Sequence, residues 1–118
     1  MALTLALEHP ELVSKLNPMG PPPSPLPESD AQGSFARATL VRKQGMLGVV
    51  DAVTEAGTCF YVHKNKALDV AAVRISLPSQ DAEGYAKACA ALAGSATETL
   101  HVSRLRIPIS LVTGEEDK

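Results

Sequence analysis

The chain has 118 residues, of which 45% are hydrophobic and 20% are charged, and its formal net charge is −2. This length predicts a single domain, and the composition is ordinary for a globular protein. The chain has no basic block, and its aromatic residues are two Phe and two Tyr, with no Trp. Binding to nucleic acid or to a membrane surface is therefore not predicted.

The N-terminal apolar residues 1–7 lack the basic region and the cleavage site of a signal peptide, and they are too short to span a bilayer. We therefore expect a cytoplasmic protein whose two cysteines, Cys59 and Cys89, are reduced thiols. Cys59 and His63 are four residues apart and could share a helix face, but a zinc site needs about four ligands. Neither a metal nor a cofactor is predicted.

The first elements in the chain are a helix and a weak strand. Residues 1–8 predict a helix that ends near Pro10, because a proline disfavours helical geometry in the residue before it. Residues 12–19 predict a strand that is interrupted at Asn17-Pro18, where proline removes a hydrogen-bond donor from the ladder. A proline-dominated, turn-rich segment follows over residues 20–33.

Three helices are predicted next, because apolar residues recur at intervals of three and four. The third of these helices ends at Gly94, a typical C-terminal residue. An irregular stretch is expected over residues 57–65, between the first and the second helix. The defining residues are Met46, Val49, Val50 and Val53, then Leu68, Ala71, Ala72 and Ile75, and finally Tyr85, Cys89 and Leu92.

The last element predicted is a buried strand over residues 107–113, which is closed by Gly114 and followed by Glu115-Glu116-Asp117. Ligands and catalytic groups gather at the C-terminal ends of strands in open α/β sheets, so Asp117 is a candidate functional acid. Alternatively, Asp117 is a solvated acid in a terminal charged cluster. The predicted fold class is α/β, with two parallel strands on either side of a helical segment and an incomplete sheet.

This pattern resembles the α/β-hydrolase superfamily. Residues 5–16 resemble the helix after the nucleophile, a His-Pro-Glu turn and the next strand, and Met19-Gly20-Pro21-Pro22 resembles the end of that strand. Residues 107–117 resemble the strand and loop that carry the acid of the catalytic triad. Four further segments resemble the branch of 3-oxoadipate enol-lactonase. They are Val41-Arg42-Lys43, Ala56-Gly57-Thr58, Ala71-Ala72-Val73-Arg74 and Glu83-Gly84-Tyr85-Ala86-Lys87-Ala88-Cys89.

The resemblance implies a partial hydrolase fold in three parts. Residues 1–27 would belong to the hydrolase core, residues 28–97 would form a helical cap, and residues 98–118 would return to the core with the strand that carries the acid. The implied substrate is a small ester or lactone, hydrolysed by a serine, an acid and a histidine without a metal or cofactor.

Only one member of this triad has a counterpart in the chain. By the family's order along the sequence, Asp117 would be the acid that orients the histidine. No Gly-x-Ser-x-Gly motif occurs, and the three histidines all precede Asp117, so the nucleophile and the catalytic histidine are absent. The isolated chain is therefore expected to be inactive. The three histidines are His9, His63 and His101.

Two functions in protein binding remain open. The segment from Pro21 to Pro27 could form a polyproline II helix that binds an SH3-type groove, although a rigid surface loop is the simpler interpretation. Alternatively, the chain is a degenerate, hydrolase-derived protein that binds partners through exposed strand edges. The same edges predict self-association.

Overall fold

A computed structural model describes residues 2–115 of the chain. These residues form helices and turns and contain no β-strand, so the predicted α/β fold with two parallel sheet strands is wrong. The α-helices of this part of the chain are α1 (Ala2–Glu8), α2 (Glu28–Gln44), α3 (Val50–Gly57), α4 (Phe60–Asn65), α5 (Ala67–Ser76) and α6 (Ala82–Gly94). Single 3₁₀ turns lie at Pro10–Leu12, Met46–Gly48, Leu77–Ser79, Ser95–Thr97 and Val102–Arg104.

Helix α2 is the longest of these helices, with 17 residues, and its two ends carry favourable charges. Glu28 and Asp30 lie in the first turn, and Arg42 and Lys43 lie in the last turn, so that each end complements the helix dipole. The helix ends at Gly45, whose φ of 71° suits a residue without a side chain. These local features explain why α2 begins and ends where it does.

Helices α2 and α6 pack against each other through small side chains. Small residues let two helices approach closely, and each of these helices places them at intervals of three and four on one face. Asp81 caps the N-terminus of helix α6, and its carboxylate accepts a hydrogen bond of 2.6 Å from the Gly84 N–H. The buried residues are Ala31, Ser34, Ala38 and Val41 on α2, and Ala86, Cys89 and Ala93 on α6.

A bidentate ion pair joins the same two helices at the surface. The Arg42 guanidinium donates hydrogen bonds of 2.9 and 3.0 Å to the two carboxylate oxygens of Glu83. These hydrogen bonds lower the pKa of the Glu83 carboxyl and raise the pKa of Arg42. Because both side chains are exposed, the pair orients the helices and adds little to stability.

The main core lies where α3 and the two neighbouring 3₁₀ turns cover one side of the α2–α6 pair. The predicted helix around Met46, Val49 and Val50 is present as the turn Met46–Gly48 followed by α3, and these three side chains are buried. The buried members of this core are Ala38, Val41, Met46, Val49, Val50, Leu77, Ala86 and Cys89. A smaller cluster contains Leu26, Ala31 and Ala93.

Helices α4 and α5 differ from the sequence prediction. Helix α4 lies inside residues 57–65, where the sequence predicts an irregular stretch. Helix α5 is present, but it turns Val73 toward the core and leaves Leu68 and Ile75 exposed. The predicted apolar face of α5 is therefore mostly a solvent-facing surface. The two faces of α5 are both apolar, so spacing does not distinguish them.

Residues 2–23 and 98–115 lie outside the two clusters and contribute one fully buried apolar side chain, Ala6. Helix α1 ends at Glu8, as the Pro10 signal predicts. The division into residues 1–27, 28–97 and 98–118 stays a prediction.

The two segments for which the sequence predicts strands lie side by side and run parallel, but they form only isolated bridges. One bridge joins Leu16 to Ile109, and the other joins Met19 to Val112. Pro18 lies between the bridges with its nitrogen on the inner side, where an N–H would have bonded the Ser110 carbonyl. This single missing donor separates the bridges and explains why no strand forms.

The core assignment predicts different effects for two identical substitutions. Leu77→Ala removes a side chain that is 6% exposed, and Leu68→Ala removes one that is 85% exposed. We expect Leu77→Ala to lower the free energy of unfolding by about 2–4 kcal/mol through lost burial and a residual cavity. We expect Leu68→Ala to change it by less than about 0.5 kcal/mol. Urea unfolding followed by circular dichroism measures both, and equal losses would contradict the assignment.

The role of Pro18 predicts that a donor at this position completes the ladder. Pro18→Val supplies an N–H opposite the Ser110 carbonyl, and we expect its amide to be protected from hydrogen exchange by about tenfold or more. Pro22→Val, in the exposed proline segment, is the matched control and should leave its new amide unprotected. Nuclear magnetic resonance measures both rates. If the new amide at position 18 exchanges as fast as the one at position 22, the proposed register is refuted.

Candidate functional site

The candidate site is the outer backbone edge of residues 107–113. The inner edge of this segment is paired with residues 16–20 through four hydrogen bonds of 2.9–3.1 Å. Leu16 and Gly20 donate to the carbonyls of Pro108 and Val112, and the amides of Ser110 and Val112 donate to the carbonyls of Leu16 and Pro18. Since alternate residues of an extended segment direct their backbone groups to opposite edges, these bonds define the direction of the backbone groups from Pro108 to Val112.

The backbone groups of Ile109 and Leu111 point away from the paired segment. Neither residue has a backbone or side-chain hydrogen bond to any other residue within 2–115. Each therefore presents one N–H donor and one C=O acceptor at the outer edge. Pro108 has no N–H, but its nitrogen faces the inner edge, so it does not block the outer edge. The outer edge is a complete template for another extended segment.

The side chains of this segment are apolar and exposed. Ile109 is 44% exposed and Leu111 is 61% exposed, and Val112 is also exposed. The sequence predicts a buried strand at this position, so this part of the prediction is wrong. Within residues 2–115, the outer edge is thus left exposed, since Ile109 and Leu111 are accessible and their backbone groups form no hydrogen bond there.

Opposite charges stand at the two ends of the edge. Arg104 and Arg106 precede it and Glu115 follows it, and all three are exposed. Arg106 donates a hydrogen bond of 3.0 Å to the Ser103 carbonyl. None of the three charged groups forms an ion pair within the described residues. The edge is therefore basic at its start and acidic at its end.

The proline segment is attached to the body of the protein. Ser24 accepts a hydrogen bond of 3.1 Å from the Leu100 N–H and donates one of 3.4 Å to the Glu98 carbonyl, and Leu26 is buried. A groove of about 380 Å³ separates Pro21–Pro23 from the exposed face of α6. Its described lining contains no Cys, His, Lys or Arg and has Glu98 as its one charged residue. The hydroxyls of Ser24 and Ser95 in this lining donate hydrogen bonds to the carbonyls of Glu98 and Leu92, so neither hydroxyl is paired with a base within residues 2–115.

A second cavity, of about 580 Å³, lies where the proline segment faces the end of α3. Its lining includes Thr58 and Glu55, which contact His63 through Nε2 at 2.5 and 3.6 Å. The Thr58 hydroxyl donates a hydrogen bond of 2.6 Å to the Thr54 carbonyl, so its oxygen accepts from the histidine. In a catalytic triad the acid contacts Nδ1 and the nucleophile contacts Nε2. Here both contact the same nitrogen, and Thr58 is not activated for attack.

The other candidate residues from the sequence analysis do not form a recognisable reactive or metal-binding group within residues 2–115. Cys59 is half-buried and Cys89 is buried, and both are free thiols. Burial and the nearby Cys89 raise the pKa of Tyr85, which packs against the main core. No group of three or more potential metal ligands occurs within residues 2–115. None of the helices described there is both long enough and apolar enough to cross a membrane.

Asp117 lies outside the described residues, so its assignment as a triad acid stays a prediction. The outer edge is present in the sequence only as an apolar run between Pro108 and Gly114. Its exposure has no local signal, because the apolar composition predicts burial. The interruption at Pro18 is the one feature that points to a defective sheet.

The register predicts an alternating pattern of amide exchange along one short segment. We expect the Ser110 and Val112 amides to exchange at least about tenfold more slowly than those of Ile109 and Leu111, because only the first two are hydrogen-bonded. Nuclear magnetic resonance at low micromolar concentration measures the four rates. Equal protection at all four positions would contradict the pairing.

The chain was also compared with known proteins. No protein-family model, no curated protein and no solved structure matches it. The resemblance to α/β-hydrolases and to the enol-lactonase branch is therefore unsupported, and the helical architecture of residues 2–115 contradicts it. The assignment of the chain to the α/β-hydrolase superfamily is wrong, and the substrate class that it implied, a small ester or lactone, stays a prediction. The short motifs that suggested it consist largely of common helix and turn residues, which recur without common ancestry.

Proposed function

We propose that this protein is an interaction module that binds an extended polypeptide segment along the outer edge of residues 107–113. The observation that carries the proposal is that the backbone groups of Ile109 and Leu111 form no hydrogen bond within residues 2–115. Each offers a backbone donor and acceptor next to an exposed apolar side chain. An exposed sheet edge with these properties is a common template for strand addition in peptide recognition.

Backbone hydrogen bonds and apolar side chains would both contribute to binding at this edge. Each backbone hydrogen bond contributes about 0.5–1.5 kcal/mol net when both partners leave water. Burial of Ile109 and Leu111 by the incoming chain adds a hydrophobic contribution of about 25 cal/mol per Å² of apolar surface. Together the two contributions favour an extended ligand over a helical one, whose backbone groups are already bonded to each other.

The pattern of the edge also defines the chemistry of the ligand. Side chains alternate between the two faces, with Ile109 and Leu111 on one face and Ser110 on the other. A matching ligand has apolar residues at alternate positions facing Ile109 and Leu111. It contains no proline at positions whose N–H must bond the edge.

The proline segment is the weaker candidate for partner binding. A ligand of an SH3-type domain presents its proline ridge freely to an aromatic groove. Here Ser24 is bonded to Glu98 and Leu100, and Leu26 is buried, so binding in such a groove would require the segment to detach. The backbone edge needs no such rearrangement.

The proposal is tested by selecting twelve-residue peptides from a random display library against the immobilised protein. We expect enriched peptides with alternating apolar residues. Leu111→Pro, which removes the outer N–H and leaves the inner bonds in place, should weaken their binding at least about tenfold. Leu111→Val keeps the N–H and an apolar side chain, and it should retain affinity within about threefold. Selection of no peptide, or equal binding to both variants, would refute the proposal.

A further inference from the structure

We infer that the segment bound at this edge is residues 107–113 of a second copy of the chain, in antiparallel orientation. The inference rests on the proposed function and names its partner. It follows from three properties of the edge: the direction of its backbone groups, the order of its side chains and the charges at its two ends.

The direction of the backbone groups restricts the register. The outward groups belong to Ile109 and Leu111, which alternate with the inward-bonded Pro108, Ser110 and Val112. In an antiparallel pair, residues that exchange hydrogen bonds lie directly opposite each other. A two-fold axis at Ser110 places Ile109 opposite Leu111 of the partner subunit. This register uses both outward residues of each copy and forms about four hydrogen bonds.

The same register brings apolar side chains together. Ile109 and Leu111 of each copy lie on one face of the joined segments, and each contacts the other residue of the partner. Aliphatic cross-strand pairs of this kind stabilise antiparallel pairing relative to alanine pairs. Ile109 and Leu111, which are exposed in one copy, thus become covered by the same two residues of the second copy.

The charges at the two ends of the edge favour the antiparallel orientation, and they favour a second copy of the chain as the partner. In the antiparallel pair, Glu115 of the partner subunit lies at the end next to Arg104 and Arg106, which precede the paired segment. The two-fold axis repeats this arrangement at the other end, so each basic end meets an acidic one. A parallel pair would place like charges side by side, which disfavours it. A segment that is basic at one end and acidic at the other is complementary in charge to a second copy of itself that runs in the opposite direction.

The two-fold pairing also closes the assembly, because each copy uses its outer edge once. The expected product is a dimer.

The inference is tested by sedimentation equilibrium of the full chain from 1 to 500 µM. We expect a monomer–dimer equilibrium in the wild type that Leu111→Pro abolishes and Leu111→Val preserves within about threefold. Arg106→Glu and Glu115→Arg should each raise the dimer dissociation constant about fivefold or more, since like charges then meet at both ends. The triple variant R104E/R106E/E115R exchanges the charges at the two ends and should restore the wild-type constant within about threefold. Circular dichroism verifies that each variant keeps its helices.

The outcomes separate this inference from the proposed function. A wild type that stays monomeric to 500 µM, or a dimer that Leu111→Pro leaves intact, overturns the second copy as the partner. Binding of selected peptides that remains sensitive to Leu111→Pro would still support the proposed function. If R104E/R106E/E115R does not restore the dimer, the antiparallel register is wrong.

Discussion

The structure depends on the close packing of α2 against α6. Small side chains along both helices allow the approach, and Val41 and Cys89 join the interface to the main core. The turn Met46–Gly48, helix α3 and Leu77 are then placed against one side of the pair, where their apolar side chains leave water. Leu26 joins the other core cluster and so holds the proline segment against the same pair.

The paired segments are joined to this helical body by few interactions. Ser24 forms hydrogen bonds with the backbone of Glu98 and Leu100, and α1 packs on the turn Val102–Arg104. Their pairing is short because Pro18 lacks the donor that would bond Ser110. A pair of this size cannot bury both faces of an apolar segment, so Ile109 and Leu111 remain at the surface. The candidate site is a consequence of incomplete burial, and the proposed partner supplies the missing contacts.

The accuracy of the sequence-based prediction varies with the kind of signal. The end of α1 before Pro10 and the buried cluster around Met46, Val49 and Val50 are predicted, because proline geometry and apolar spacing act locally. Helix α2 is missed because its buried residues are small, and small residues do not produce an apolar pattern. In α6 Cys89 is buried as expected, but Leu92 is partly exposed, since close packing against α2 favours the neighbouring Ala93.

By itself the sequence determined the local chemistry of the candidate site. It specifies the proline at position 18, the apolar residues 107–113 and the opposite charges of Arg106 and Glu115, all of which can be read one residue at a time. Only the tertiary structure decided which backbone edge is left open. Coverage of an edge depends on where every other element packs, and that placement follows from the balance of burial over the whole chain. For this reason an apolar run that predicts a buried strand lies exposed at the surface.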